Sequence, residues 1–298
     1  MISTCQGLPG WTDAGGRTSD TVDITVNPLS DGFFGLDGGA MFGTVPRVLW
    51  EKTNPPDGSN RILLGLRPLL IRAGSDTIVV DAGIGRKHGN GFNRMFNVDQ
   101  SDSLEESLAR CCVHAEDVSC VVLTHLHFDH AGGVTKLDPR GRPVPTFPNA
   151  RHFVQADEWH DATHPNPKTK GSYREDDFRP LEETGLLELV DGDLQLVTGV
   201  TLVRTGGHTR GHQIVLIESS TGPAAYWSDL VPTASHVNIP FVMAYDAYPL
   251  ETIERKEHLL EQAAQERWTC YFEHEPRFAA GIIVDDGRRY TVKPAKEA

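Results

Sequence analysis

The chain is short of cysteine, of positive charge and of long apolar runs, and each shortage narrows what it can be. Its five cysteines are odd in number, with Cys111 and Cys112 adjacent and no C-x-x-C pair, so neither a disulfide framework nor a zinc ribbon is supported. All five read as buried thiols or bystanders, which fits a reducing cytoplasm. Lys plus Arg number 28 against 41 Asp plus Glu, a formal net charge of −13. An acidic surface repels phosphate backbones, so no nucleic-acid partner is expected. No run approaches the roughly 18 apolar residues of a membrane span, and Met1 to Gly7 have neither the basic nor the apolar region of a secretory signal. The sequence also has no G-x-S-x-G elbow, no G-x-x-x-x-G-K-[ST] loop and no G-x-G-x-x-G fingerprint, which leaves serine-hydrolase, P-loop and dinucleotide readings without support. What is there is a globular composition, with 39% hydrophobic residues, enough for a sizeable core.

Residues 1–20 are rich in Gly, Ser, Thr and Asp and read as a loose arm; residues 21–298 read as one domain, with no linker inside it. Alternation begins at Thr21 to Val26. Leu66 to Ala73 and Thr77 to Val80 are β-prone runs around Gly74-Ser75-Asp76, a hairpin signal. Leu104 to Arg110 reads as a short helix capped by Asp102 or Ser103, and Val118 to Leu123 as a strand buried on both faces. After a Pro-rich stretch, Asp138 to Pro148, a strand is expected at Arg151 to Gln155, then a polar loop or lid from Asp161 to Pro180. Further strands are expected at Leu194 to Val197, Thr201 to Arg204, Ile214 to Glu218 and Ala224 to Trp227. A long helix follows at Glu251 to Trp268, with Ile253, Leu260 and Ala264 on one side. Two halves, each of strands followed by helix, imply a layered α/β sandwich of two sheets flanked by helices.

The chemistry is concentrated in Thr124-His125-Leu126-His127-Phe128-Asp129-His130-Ala131-Gly132-Gly133. Residues two apart on an extended chain point to the same side, so His125 and His127 can converge on one cation. Asp129 and His130, where the chain turns into a helix, can reach a second cation beside it, and the glycines let the backbone pass close. Three histidines and an aspartate in six positions at a strand mouth would be desolvated without partners unless a cation held them.

These residues resemble the H-x-H-x-D-H signature of the metallo-β-lactamase-fold superfamily, and three further stretches resemble its other ligand loops in the expected order. They are Gly206-Gly207-His208-Thr209-Arg210-Gly211-His212, Ser228-Asp229 and Phe272-Glu273-His274-Glu275-Pro276. Val79-Val80-Asp81-Ala82-Gly83 is similar to the strand-turn whose aspartate supports the site from behind the ligands. The resemblance covers about Leu66 to Pro276 and implies a four-layer αββα sandwich. It also implies a two-metal centre: His125, His127 and His208 on the first ion, Asp129, His130 and His274 on the second, and Asp229 bridging. Zinc is the first expectation for both divalent ions, and the same donors accept manganese, iron or cobalt. A water shared by the ions, its pKa lowered toward about 7, would be the nucleophile. Asp129 would orient it or pass its proton to the leaving group.

His212 reads as a packing or supporting residue rather than a ligand. His236 either contacts substrate or is simply exposed. His88, His114, His152, His160, His164 and His258 lack ligand spacing. Phe33-Phe34, Met41-Phe42, Phe92 and Met95-Phe96 are either a hydrophobic substrate wall or ordinary core. Tyr226, Tyr245 and Tyr248 are candidate donors to an oxyanion, with nothing to choose among them.

Within the superfamily the most similar branch is that of the acyl-homoserine lactonases and methyl parathion hydrolase. This implies a metal-dependent hydrolase of an ester-like bond, whether lactone, carboxylic ester or phosphotriester. Its partner would be a small-molecule substrate, with no nucleic acid and no membrane, and a homodimer is compatible. β-Lactamases of this fold typically lack the bridging aspartate, and the −13 charge weighs against the RNA-processing members. Two alternatives stand: a mononuclear iron oxidoreductase of the persulfide-dioxygenase type, disfavoured by Asp229 and His274, and a glyoxalase-II-like thioester hydrolase, for whose basic helical extension little chain follows His274.

Overall fold

The alternation that begins at Thr21 becomes a strand, Ile24–Pro28 (β1), in the computed structural model, which describes residues 23–295. The arm expected over residues 1–20 lies outside the described residues. Leu69–Ala73 (β2) and Asp76–Val80 (β3) form the expected hairpin, Ile71 opposite Ile78, with Gly74 at φ +61° in the turn. Glycine adopts that left-handed conformation without steric cost. Cys120–Val122 (β4), Arg151–Gln155 (β5) and Leu187–Val190 (β6) then add in parallel, and all six strands lie side by side in sequence order.

A second sheet repeats that order with seven strands: Leu194–Val197 (β7), Val200–Arg204 (β8), Gln213–Ser219 (β9), Gly222–Tyr226 (β10), Thr269–Tyr271 (β11), Ala280–Asp285 (β12) and Tyr290–Pro294 (β13). Only β10 and β11 pair in parallel, and the helix Pro249–Glu266 makes the crossover between them.

Period-two burial sorts the core into layers. On β3 and β4, Ile78, Val80 and Val122 face the second sheet and meet Val200, Leu202, Val215, Ile217 and Tyr226. Val79 and Val121 face the other way, against Leu104 and Leu108 of helix Leu104–Arg110 and Phe178 and Leu181 of helix Glu175–Glu183. On the far side Val203, Ile214, Leu216 and Ala225 pack on Leu259, Leu260 and Ala263 of Pro249–Glu266. Helix, sheet, sheet, helix is the expected four-layer αββα arrangement, and a β-branched pair such as Val121 and Val122 suits a strand covered on both faces.

Two expectations need correction. The polar stretch from Asp161 to Pro180 is not all loop: it begins inside helix Ala156–Thr163 and ends inside Glu175–Glu183, whose Phe178 and Leu181 are buried. Its polarity misled because Asp177 is buried too, paired with Lys87 Nζ at 2.8 Å. The long helix buries Thr252, Lys256, Leu259, Leu260 and Ala263; Ala264 packs against the same core as expected, whereas Ile253 is only half-buried and lies off its centre. The Pro-rich stretch, for which the sequence suggests no element, carries a short strand, Pro143–Pro145, paired with Thr135–Leu137. Among the described residues no helix is long and apolar enough to cross a membrane, and Cys111, Cys112, Cys120 and Cys270 are free thiols, with Cys112 exposed rather than buried.

Candidate metal centre

Four strand ends deliver the site. Beyond β4 the chain bends at Thr124 and runs on to His127, with the His125 and His127 rings side by side, centroids 4.5 Å apart. The chain then turns at His127 into the short helix Phe128–Ala131, which carries Asp129 and His130. Gly133 allows the turn to lie against the segment after β3, where a Cβ would stand 2.1 Å from the Ala82 carbonyl oxygen. His208 follows β8 on a loop whose Gly207, at φ +81°, rests on the first turn of Pro249–Glu266. A Cβ there would stand 2.6 Å from Thr252 Oγ1. Asp229 lies just past β10 in the tight turn Ser228–Leu230, and His274 just past β11.

All seven expected residues are brought together and buried. His125, His127, His208 and Asp229 form one group, and Asp129, His130 and His274 the other. Asp229 stands between them: Oδ2 lies 3.1 Å from His208 Nε2 and 3.9 Å from His125 Nε2, while Oδ1 lies 3.2 Å from His274 Nε2 and 3.6 Å from His130 Nε2. Asp129 Oδ2 is 3.6 Å from His274 Nε2 and 4.0 Å from His130 Nε2. Two ligands held at 2.0–2.1 Å by one tetrahedral cation stand about 3.4 Å apart. His127 Nδ1 and His208 Nε2 are 3.1 Å apart, and His130 Nε2 and His274 Nε2 3.2 Å apart. His125 Nε2 is buried with no hydrogen-bond partner. Imidazole and carboxylate donors facing one another at such spacing fit borderline-soft divalent cations.

The rings are held from behind. Asp81 Oδ2 meets His130 Nδ1 at 2.9 Å, and Asp81 Oδ1 accepts from the Thr124 amide at 2.8 Å, the supporting role the resemblance implies. Gly65 O meets His274 Nδ1 at 2.9 Å and Asp246 Oδ1 meets His208 Nδ1 at 2.8 Å. Electrostatics cut across these two groups. Burial, with the neighbouring imidazoles, pushes His125 and His127 well below the ordinary imidazole value. Burial is the largest effect at His130, His208 and His274 and opposes charge, but the carboxylates together outweigh it, Asp229 at all three with Asp129 and Asp81 at His130, Asp246 at His208 and Asp129 at His274, and all three are raised. Asp229 in turn is buried, yet His208, His130 and His274 hold it well below the usual carboxylate range. Negative charge is thus stabilised between the two histidine groups.

The remaining expectations resolve individually. His212 packs as expected, its ring 5.4 Å from that of His125 and its Nδ1 2.7 Å from Thr205 Oγ1. His236 is neither exposed nor available to substrate. It is buried, its Nε2 meets Met41 O and its Nδ1 Thr233 Oγ1, both at 2.8 Å, and its ring stacks on Phe42. The aromatic loops form a separate buried cluster around Phe34, Phe42, Trp50 and Phe128, with Phe92 and Phe96 at its edge. Phe34 reaches His274 at 5.4 Å between centroids, and Phe92 and Phe96 pack on Phe128 beside Asp129. Met95 is 68% exposed and belongs to no wall. Of the tyrosines, Tyr226 hydroxyl is 3.3 Å from Asp81 Oδ2 behind the site, whereas burial, then the charge of Asp129, pushes the Tyr245 phenol up to about 12.

Two residues escaped the sequence reading. Glu158 is fully buried; it accepts from the Leu126 amide at 2.9 Å, from the Tyr173 hydroxyl at 3.0 Å and from Thr209 Oγ1, joining three loops around the ligands. Asp246 is the other. Both are lone carboxylates far in sequence from the groups they hold, Glu158 32 residues from Leu126 and Asp246 38 from His208, and only for Asp246 was there a signal, the general need of a metal-binding histidine for an acceptor behind it.

Residues 68–274 match the family described as the metallo-beta-lactamase superfamily. An N-acyl homoserine lactonase of a Bacillus species is 29% identical over 228 residues, covering 72% of this chain and 83% of that protein. Among solved structures, a probable metal-dependent hydrolase from Staphylococcus aureus superposes with a TM-score of 0.85 at 34% identity, over 94% of this chain and 99% of that one. AidC, a dizinc quorum-quenching lactonase in complex with a product, shares the fold with a TM-score of 0.75 at 20% identity, over 95% and 98% of the two chains. With its buried histidine and aspartate clusters of the kind that hold two metals, the chain belongs to the metallo-beta-lactamase superfamily, as a metal-dependent hydrolase of lactonase-like kind.

Proposed function

We propose that the centre holds two divalent cations, zinc first among them, and that the enzyme opens an ester-like bond, foremost a lactone ring. His125, His127 and His208 would hold one ion, Asp129, His130 and His274 the other, and Asp229 would bridge. One observation carries the reading: the two oxygens of Asp229 face different histidine groups, 3.1 Å from His208 on one side and 3.2 Å from His274 on the other. A persulfide-dioxygenase-type site with one iron leaves half of that arrangement without purpose. The dizinc centre of AidC and the lactonase relative support the choice of metal and bond.

Cations bound there supply Lewis acidity and lower the pKa of a coordinated water toward about 7. The chain's own part is placement and proton handling. Asp129, with 8% of its side chain exposed, would take the proton of the attacking water on the carboxylate oxygen it does not offer to the cation and return it to the leaving alkoxide oxygen. Phe128, Phe92 and Phe96 give that side a low-dielectric wall, against which an apolar acyl group would lie. Tyr245, protonated at neutral pH, is available as a donor to the developing oxyanion.

The test is a panel of an N-acyl homoserine lactone, an aryl ester and a phosphotriester, assayed on metal-stripped and zinc-restored protein. The reading expects the lactone to be turned over fastest, only after restoration. Equal turnover by stripped protein, or none by protein holding two zinc ions, contradicts it.

A further inference from the structure

We infer that Asp246 is the positioning residue that fixes the His208 ring for metal binding, and that the segment 238–248 is a strap whose task is to deliver that carboxylate. The inference rests on the two-metal reading above. Asp246 Oδ1 and His208 Nδ1 are 2.8 Å apart, with Asp246 3% and His208 1% exposed. A carboxylate only accepts, so the ring proton is drawn to Nδ1 and the lone pair is left on Nε2. Nε2 is the atom aimed at the cluster, 3.1 Å from Asp229 Oδ2 and 3.1 Å from His127 Nδ1.

The site is thereby symmetrical in its supports. Each histidine group contains one ring backed by an aspartate, His130 by Asp81 in one and His208 by Asp246 in the other. Asp81 comes from the strand end beside the signature. Asp246 has to be brought from outside the sheets, and the chain invests in bringing it. Ala247 N donates to His208 O at 2.9 Å and Tyr248 N to Gly207 O at 2.8 Å, so the strap is zipped to the ligand loop itself. Ala244 N donates to Ala40 O at 2.8 Å, and Lys168 Nζ reaches the Asp246 carbonyl oxygen at 2.7 Å. The start of the strap is tied to the long helix by Lys256, whose buried Nζ meets the carbonyl oxygens of Asn238, Ile239 and Phe241 at 3.0, 3.3 and 2.8 Å. Asp246 Oδ2 has no hydrogen-bond partner. A buried carboxylate so poorly paired is costly as a purely structural element; its one strong contact is with the ring.

The experiment titrates zinc alone into stripped wild type, D246N and D246A, against a competing chelating indicator, with the melting temperature of each stripped protein recorded alongside. Wild type should take up two ions. D246A should keep one site at wild-type affinity and lose 10–100-fold at the other. D246N, isosteric and still able to accept from Nδ1, should fall between them. Unchanged affinity at both sites in both variants overturns the inference. So does an equal loss at both sites accompanied by a collapse of the stripped protein's melting temperature, which marks a structural role. Wild type taking up a single ion refutes the two-metal reading instead, and Asp246 is then judged by whether D246A weakens that one site.

Discussion

Asp229 is where the residue-scale account is most exposed, because one side chain faces both histidine groups. Replacing an outer partner of a metal ligand typically costs 10–100-fold, so D229A should lower kcat/KM for the zinc-restored enzyme by more than about 100-fold. It should also lower the bound zinc per protein, measured by elemental analysis; full occupancy would count against a bridging role. A second residue-scale prediction concerns acid. His152 is fully buried, and burial, only partly offset by the backbone of Ala150 and Leu186 beside the ring, pushes it down to about 4. The unfolded chain, with an imidazole near 6.5, therefore binds one more proton between about pH 6.5 and 4, and stability falls as pH drops through that window by about 1.4 kcal/mol per unit. H152L, which cannot titrate, should lose about 2 kcal/mol less than wild type between pH 6.5 and 5 in urea unfolding with chelator present; parallel curves would contradict this. Legibility at this scale followed sequence distance. His125, His127, Asp129 and His130 lie within one turn-and-a-half of chain and announced themselves by spacing, whereas His208, Asp229 and His274 were found through family resemblance. Asp246 and Glu158 carry no local pattern.

Elements were legible where the pattern was strictly local. The cap of helix Leu104–Arg110 was one: Ser103 Oγ accepts from the Glu106 amide at 3.3 Å, and S103A should cost about 1 kcal/mol, read as a shift in urea midpoint at constant slope. The hairpin at Gly74 was another. Helix Glu175–Glu183 was missed because its inward face includes a charge, and a buried charge is readable only with its partner in view. That partner is Lys87, held by Asp177 at 2.8 Å, by Thr135 O at 3.3 Å and by Gly132 O. The pair ties the helix to the loop behind Asp129 and His130. K87M leaves Asp177 buried and unpaired and should cost about 3–5 kcal/mol, and K87M combined with D177L should recover most of it. Additive losses in the double mutant would show that the pair is not coupled.

At the scale of the molecule, two sheets each built in sequence order bring the ends of β4, β8, β10 and β11 to one edge of the sandwich. Placing seven buried polar side chains there is unfavourable for folding unless something binds them. Zinc at 100 times its dissociation constant should therefore stabilise the stripped protein by about 2.7 kcal/mol per ion; a melting temperature indifferent to zinc would argue against the site. The layered architecture was legible because buried strands and amphipathic helices alternate along the chain. The meeting of distant loops was not, since it depends on sheet order and crossover rather than on any local run. The most direct measurement is anomalous diffraction at the zinc edge from crystals of zinc-loaded protein. The account predicts two peaks, about 3.5–4 Å apart, one against His125, His127 and His208 and one against Asp129, His130 and His274, with Asp229 touching both. A single peak, or two that do not share Asp229, would contradict it.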